Sequence, residues 1–143
     1  MGLESINFIF RSEEPMKNII EDNHQIERFD EARYVYAEEK LFWIDIKLQK
    51  EYCISIRIAL SNPIDSVLKA LDNLLLYLFG STGGMLTNLN TKEEYGDYDE
   101  HTEKRIIDTY KDRHKVFEGI YGDYTSTIGS DAFYQIQRAK DEY

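Results

Sequence analysis

Positive charge, cysteine and long apolar runs are all scarce in this chain, and each scarcity removes a class of function. Seventeen Lys and Arg stand against 27 Asp and Glu, which leaves a formal charge of −10 over 143 residues. Nucleic acids and anionic membrane surfaces are held largely through Lys and Arg contacts to phosphate, so neither is expected as a partner. The single cysteine, Cys53, excludes an internal disulfide and a multi-cysteine zinc site, and it fits a reducing compartment. The first residues lack the basic and apolar stretches of a signal peptide, and Ile6 stands where a myristoylation signal requires Ser or Thr. Every apolar run is too short to span a bilayer, so the expected location is the cytoplasm.

What remains can fold. Hydrophobic residues make up 42% of the chain and aromatic residues 13%, enough burial to offset chain entropy despite the acidic balance. The length fits one α+β domain over 1–143, without repeats, low-complexity blocks or linkers. Ile6, Phe8 and Phe10 alternate as in a strand with one buried face, and Pro15 can open a short helix over 13–22. A second strand is expected from Arg28 to Glu38. Phe42, Ile44, Ile46 and Leu48, followed by Tyr52, Ile54, Ile56, Ile58 and Leu60, alternate strictly and predict a hairpin. Directly paired residues share a face, so a loop at 49–51 should pair Leu48 with Tyr52 and Ile44 with Ile56, setting Trp43 opposite Arg57. The expectation is an antiparallel sheet of about four strands in the N-terminal half.

A long amphipathic helix over 63–79 should pack on that sheet. Asn62 is expected as N-cap, Pro63 as first helical residue and Gly80 as the stop, with Val67, Leu68, Leu71, Leu74, Leu75 and Leu78 at helical spacing. Residues 80–100 read as one long irregular segment. C-terminal helices are expected from about His101 to Gly119 and from Ser130 to Lys140.

Most residue types that could carry chemistry lack the spacing for it. Gly80, Gly83 and Gly84 follow a helix end, whereas phosphate-binding loops lead into a helix start. His24, His101 and His114 form no ligand pair, and the Asp97, Asp99 and His101 alternation lacks the glycine and terminal Glu of a calcium loop, so neither metal nor cofactor is expected. Cys53, with Lys47 expected across the hairpin, reads as a strand filler. The outstanding stretch is Glu93 to Glu103, where six acids and no Lys or Arg surround Tyr95 and Tyr98. It reads either as a solvated loop or as a recognition surface built from Glu93, Glu94, Tyr95, Asp97, Tyr98, Asp99 and Glu100. Trp43 and Arg57 form a second candidate binding pair, because both types are enriched at interface hot spots.

In this character, a small acidic α+β chain with an acidic and aromatic loop at 93–103, the protein resembles the immunity proteins with which bacteria neutralise toxic partner domains. The resemblance implies a non-enzymatic inhibitor that binds a basic protein partner, such as a toxin domain, and occludes its active site. Two other readings compete with it. One is a structural homodimer or larger homo-oligomer packed through Tyr110, Phe117, Tyr121 and Tyr124. The other is a small enzyme that uses an acidic pocket with His101 or His114 as acid or base.

Overall fold

Strand and helix periodicities in this chain divide its apolar residues between one sheet face and the helices that cover it. The computed structural model describes residues 5–121. In chain order the elements are β1 (Ser5–Ser12), α1 (Met16–Glu21), β2 (Ile26–Arg28), β3 (Arg33–Glu38), β4 (Phe42–Lys50), β5 (Cys53–Ala59), α2 (Ile64–Ser81), β6 (Gly84–Asn88), β7 (Glu94–Tyr95) and α3 (Glu100–Tyr121). The strands form one antiparallel sheet of seven in the order β2-β3-β4-β5-β1-β6-β7. The architecture is α+β, but its sheet corrects the expected one of about four N-terminal strands. Three further strands are present, two of them after the long helix.

Residues 80–100 are therefore not one irregular segment. Leu86 is the only large buried side chain of β6, so the strand gives little apolar alternation in sequence. It is ordered instead by pairing with β1, whose Phe8, Phe10 and Ser12 lie opposite Asn88, Leu86 and Gly84. Gly84 is required there. A Cβ on it would lie 2.5 Å from the Arg11 carbonyl oxygen and 2.7 Å from the Phe10 ring.

The core lies between one sheet face and the helices. Ile6, Phe8, Phe10, Ile44, Ile46, Ile54, Ile56 and Ile58 present one buried face to Val67, Leu71, Leu74, Leu75 and Leu78 of α2. Each such side chain contributes about 1.5–3 kcal/mol when fully buried, which makes this layer the main source of stability. Ile106, Tyr110 and Phe117 of α3 join the same core, and the Tyr110 hydroxyl donates to the Ala59 carbonyl at 3.0 Å.

The β4–β5 register keeps the expected parity but shifts by two residues. Ile46 pairs with Ile56, Leu48 with Ile54 and Asp45 with Arg57, and an irregularity between Leu48 and Lys50 precedes the turn. Tyr52 is drawn into that turn and not into the ladder. Its carbonyl accepts the Ser12 N–H at 2.8 Å, while the Glu51 carbonyl accepts the Met16 N–H at 2.8 Å, so the hairpin tip is tied to β1 and α1. The register thus places Asp45, not Trp43, opposite Arg57, and Lys50 and Arg11, not Lys47, opposite Cys53.

The long helix starts at Ile64, Pro63 occupies the cap position without a side-chain cap bond, and the helix continues through Gly80 to Ser81. Asn62 is not its cap. Its Oδ1 accepts the Trp43 N–H at 2.8 Å, and its Nδ2 donates to the Ala59 carbonyl at 2.8 Å and the Trp43 carbonyl at 3.2 Å, joining β4 to the end of β5. The expected helix at 130–140 lies outside the described residues. Among the described residues no helix is long and apolar enough to cross a membrane.

Candidate functional site

The acidic stretch at 93–103 is not a free loop, because the fold gives most of its residues structural work. A turn after β6, closed by the Asn88 N–H to the Glu93 carbonyl at 2.9 Å, returns the chain as β7. Glu93 is engaged by Arg105 of α3, whose Nε donates at 3.0 Å and 3.1 Å and whose Nη2 lies at 2.8 Å. That bidentate guanidinium holds the Glu93 carboxyl below the usual carboxylate range. Tyr95 lies opposite Leu86 with its hydroxyl beside this pair, and burial, then the Glu93 charge, push its pKa up.

Tyr98 turns inward as well. Its ring stacks on Phe79 at 6.0 Å, and Phe79 in turn meets Phe10 edge-on at 5.1 Å. Its hydroxyl donates to Asp72 Oδ1 on α2 at 2.8 Å, and burial, followed by that carboxylate, raises its pKa strongly. Asp99 caps α3: its Oδ1 accepts the Thr102 N–H at 2.9 Å, a bond that lowers its pKa. Of the seven candidate residues, Glu94, Asp97 and Glu100 remain both exposed and uncommitted to a cap, core or ion pair among the described residues.

Two acids outside that set complete the corner. Asp72 on α2 lies within hydrogen-bond reach of Glu103 on α3, and this contact, then the Asp72 charge, desolvation and Glu100, raises the Glu103 pKa. Asp72 cannot swing away freely, because Tyr98 holds it, and Glu103 is fixed on the first turn of a helix whose cap is Asp99. The result is an anionic corner of Asp72, Glu100 and Glu103. Sequence could not have revealed Asp72 as a member: a carboxylate on the polar side of an amphipathic helix ordinarily just solubilises it.

The second candidate pair is placed differently. Trp43 is only 8% exposed, clusters with Val35 and Ala59 on the reverse side of the sheet, and donates from Nε1 to Asp45 Oδ1 at 3.2 Å. Arg57 faces Asp45 across the ladder. The histidines do not meet: His101 is exposed on the first turn of α3, whereas His114 is buried between Tyr110 at 6.2 Å and Phe117 at 6.5 Å. Tyr110 and Phe117 are likewise core residues, which removes them from a face offered to a second copy. The Tyr121 side chain and Tyr124 lie outside the described residues. Among the described residues no group of three or more His, Cys, Asp or Glu is arranged to hold a metal ion.

Chemically, the corner is suited to holding a cation by charge and hydrogen bonding. No family model, curated protein or solved structure matches this chain.

Proposed function

We propose that the protein is a non-enzymatic binding protein whose acidic corner docks on a basic protein partner and covers the partner's cationic surface, as an immunity protein covers a toxin domain. The observation that carries this reading is the like-charge crowding of Asp72 and Glu103 from two different helices. Such crowding works against the free fold, and a lysine or arginine supplied by a partner relieves it. Residues placed for function often cost stability in this way. The net charge of −10 adds a long-range field that steers a basic partner toward the corner.

Affinity capture from the source cells tests the reading. The wild-type protein should retain a basic protein and inhibit that protein's own activity at one-to-one stoichiometry. A variant carrying Asp72→Asn, Glu100→Gln and Glu103→Gln should fold, yet neither retain nor inhibit it. Failure to retain any basic protein, or equal retention by both forms, overturns the proposal.

A further inference from the structure

Buried residues of all three helices join the core on one face of the sheet, whereas the cluster on the other face, Val35, Trp43 and Ala59 with Ala37, is made of strand residues alone. A side chain on such an open face keeps solvent on one side, and an indole is seldom fully covered even inside a core. Yet Trp43 is 8% exposed, Val35 7% and Ala59 2%. The Nη2 atom of Arg57, on the same face, is out of solvent as well. These are the exposures of one chain by itself, so the cover is supplied by the chain's own residues. The cover is also local: Lys47 and Gln49, further along β4 on that face, are exposed. The covered end is the one that α3 reaches, where the Tyr110 hydroxyl bonds the Ala59 carbonyl, and the helix continues from there for about three turns to Tyr121.

We infer that residues 122–143 form a strap across this end of the reverse face, with apolar side chains seated on Trp43 and Val35. The Trp43 and Arg57 pair is then the seat of the chain's own C-terminal segment and not an anchor for a partner. The segment follows directly on α3 and carries Tyr124, Ile128, Phe133, Tyr134 and Ile136, large side chains enough to cover an indole. Residues 1–4 fit less well. They precede β1, from which β3 and its Val35 are separated by β5 and β4, a distance of about 14 Å at the usual strand spacing. Four extended residues span about that length and no more, with only Met1 and Leu3 as large apolar groups. A second copy is not needed, because the burial is that of a single chain.

Trp43 is the chain's single tryptophan, so its ring is a reporter within the unaltered full-length protein. Nuclear Overhauser contacts from the indole protons of the wild type should reach side chains between residues 122 and 143. Acrylamide should quench its emission far more slowly than it quenches free tryptophan. The full-length variant carrying Phe133→Ser, Tyr134→Ser and Ile136→Ser should emit at longer wavelength and be quenched severalfold faster, while the amide shifts of α2 stay in place. The inference fails if the wild-type indole shows no contact to 122–143, or if its contacts run to residues 1–4. It fails equally if a mixture of labelled and unlabelled protein shows that the contacts cross between two copies, or if the variant is quenched no faster than wild type. The wild-type contacts decide the matter even where the variant does not fold. Neither readout involves Asp72, Glu100 or Glu103, so failure here leaves the acidic-corner proposal intact, and failure there leaves this one intact.

Discussion

Glu103 is the residue at which fold and proposed function pull hardest against each other. Its carboxyl binds a proton more tightly in the folded than in the unfolded chain, because Asp72 is held beside it. The sign of the pH dependence follows: the stability this group contributes is complete below its unfolded-state pKa and is lost as pH rises through the raised folded-state value. Glu103→Gln should therefore melt above wild type near pH 7, with the difference shrinking toward pH 4 and in high salt, as measured by calorimetry across pH. An unchanged melting temperature near neutrality would mean that the two carboxylates avoid each other in solution. Two backbone positions give independent checks on the fold. Gly84→Ala drives a methyl into the Arg11 carbonyl and the Phe10 ring, so denaturant unfolding should show a loss of about 1–3 kcal/mol. Lys40 has φ 66° in the β3–β4 turn, so Lys40→Gly should be tolerated or stabilising by up to about 1 kcal/mol.

At the level of elements, α3 depends on its first turn. Asp99 satisfies one of the free N–H groups there, and the acids that follow suit the positive end of the helix dipole. Asp99→Ala should lower the melting temperature by a few degrees, and hydrogen exchange should quicken first in α3 and not in the sheet centre. The Asp99 carboxyl is held below its ordinary range, so its support is present at neutral pH and is lost as pH falls through that lowered value. The helices were legible because their signals are local: Pro15 ahead of α1, apolar spacing in α2, and Ile107, Tyr110 and Phe117 at helical spacing in α3. The strands with strict alternation, β1, β4 and β5, were legible for the same reason. β6 and β7 were not, since one large buried side chain in β6 and two residues in β7 leave no period to detect. They exist because β1, the first strand in the chain, lies inside the sheet and needs a partner on its far side. The hairpin register slipped for a related reason. Parity follows from which residues are apolar, whereas the choice between two even registers was made by hydrogen bonds from Ser12 and Met16 to the turn, far away in sequence.

Over the whole molecule, acids and bases are interspersed, and the one stretch with six acids and no Lys or Arg, 93–103, leads into the first turn of α3. The acids gathered at the start of α3 were read from sequence as a loop; the fold spends Tyr95, Tyr98 and Asp99 on structure and recruits Asp72 and Glu103 instead, which only tertiary contact could bring together. If the corner meets a basic partner through long-range attraction, its charge should act on the rate of encounter more than on the lifetime of the complex. Stopped-flow association of the captured partner with the Asp72→Asn, Glu100→Gln and Glu103→Gln variant should be about tenfold slower or more at low salt. The wild-type rate should fall toward the variant's as ionic strength rises and the Debye length contracts to about 8 Å near 0.15 M. Equal rates for the two proteins at low salt would place the docking surface away from α2 and the first turn of α3, whatever the net charge of the chain.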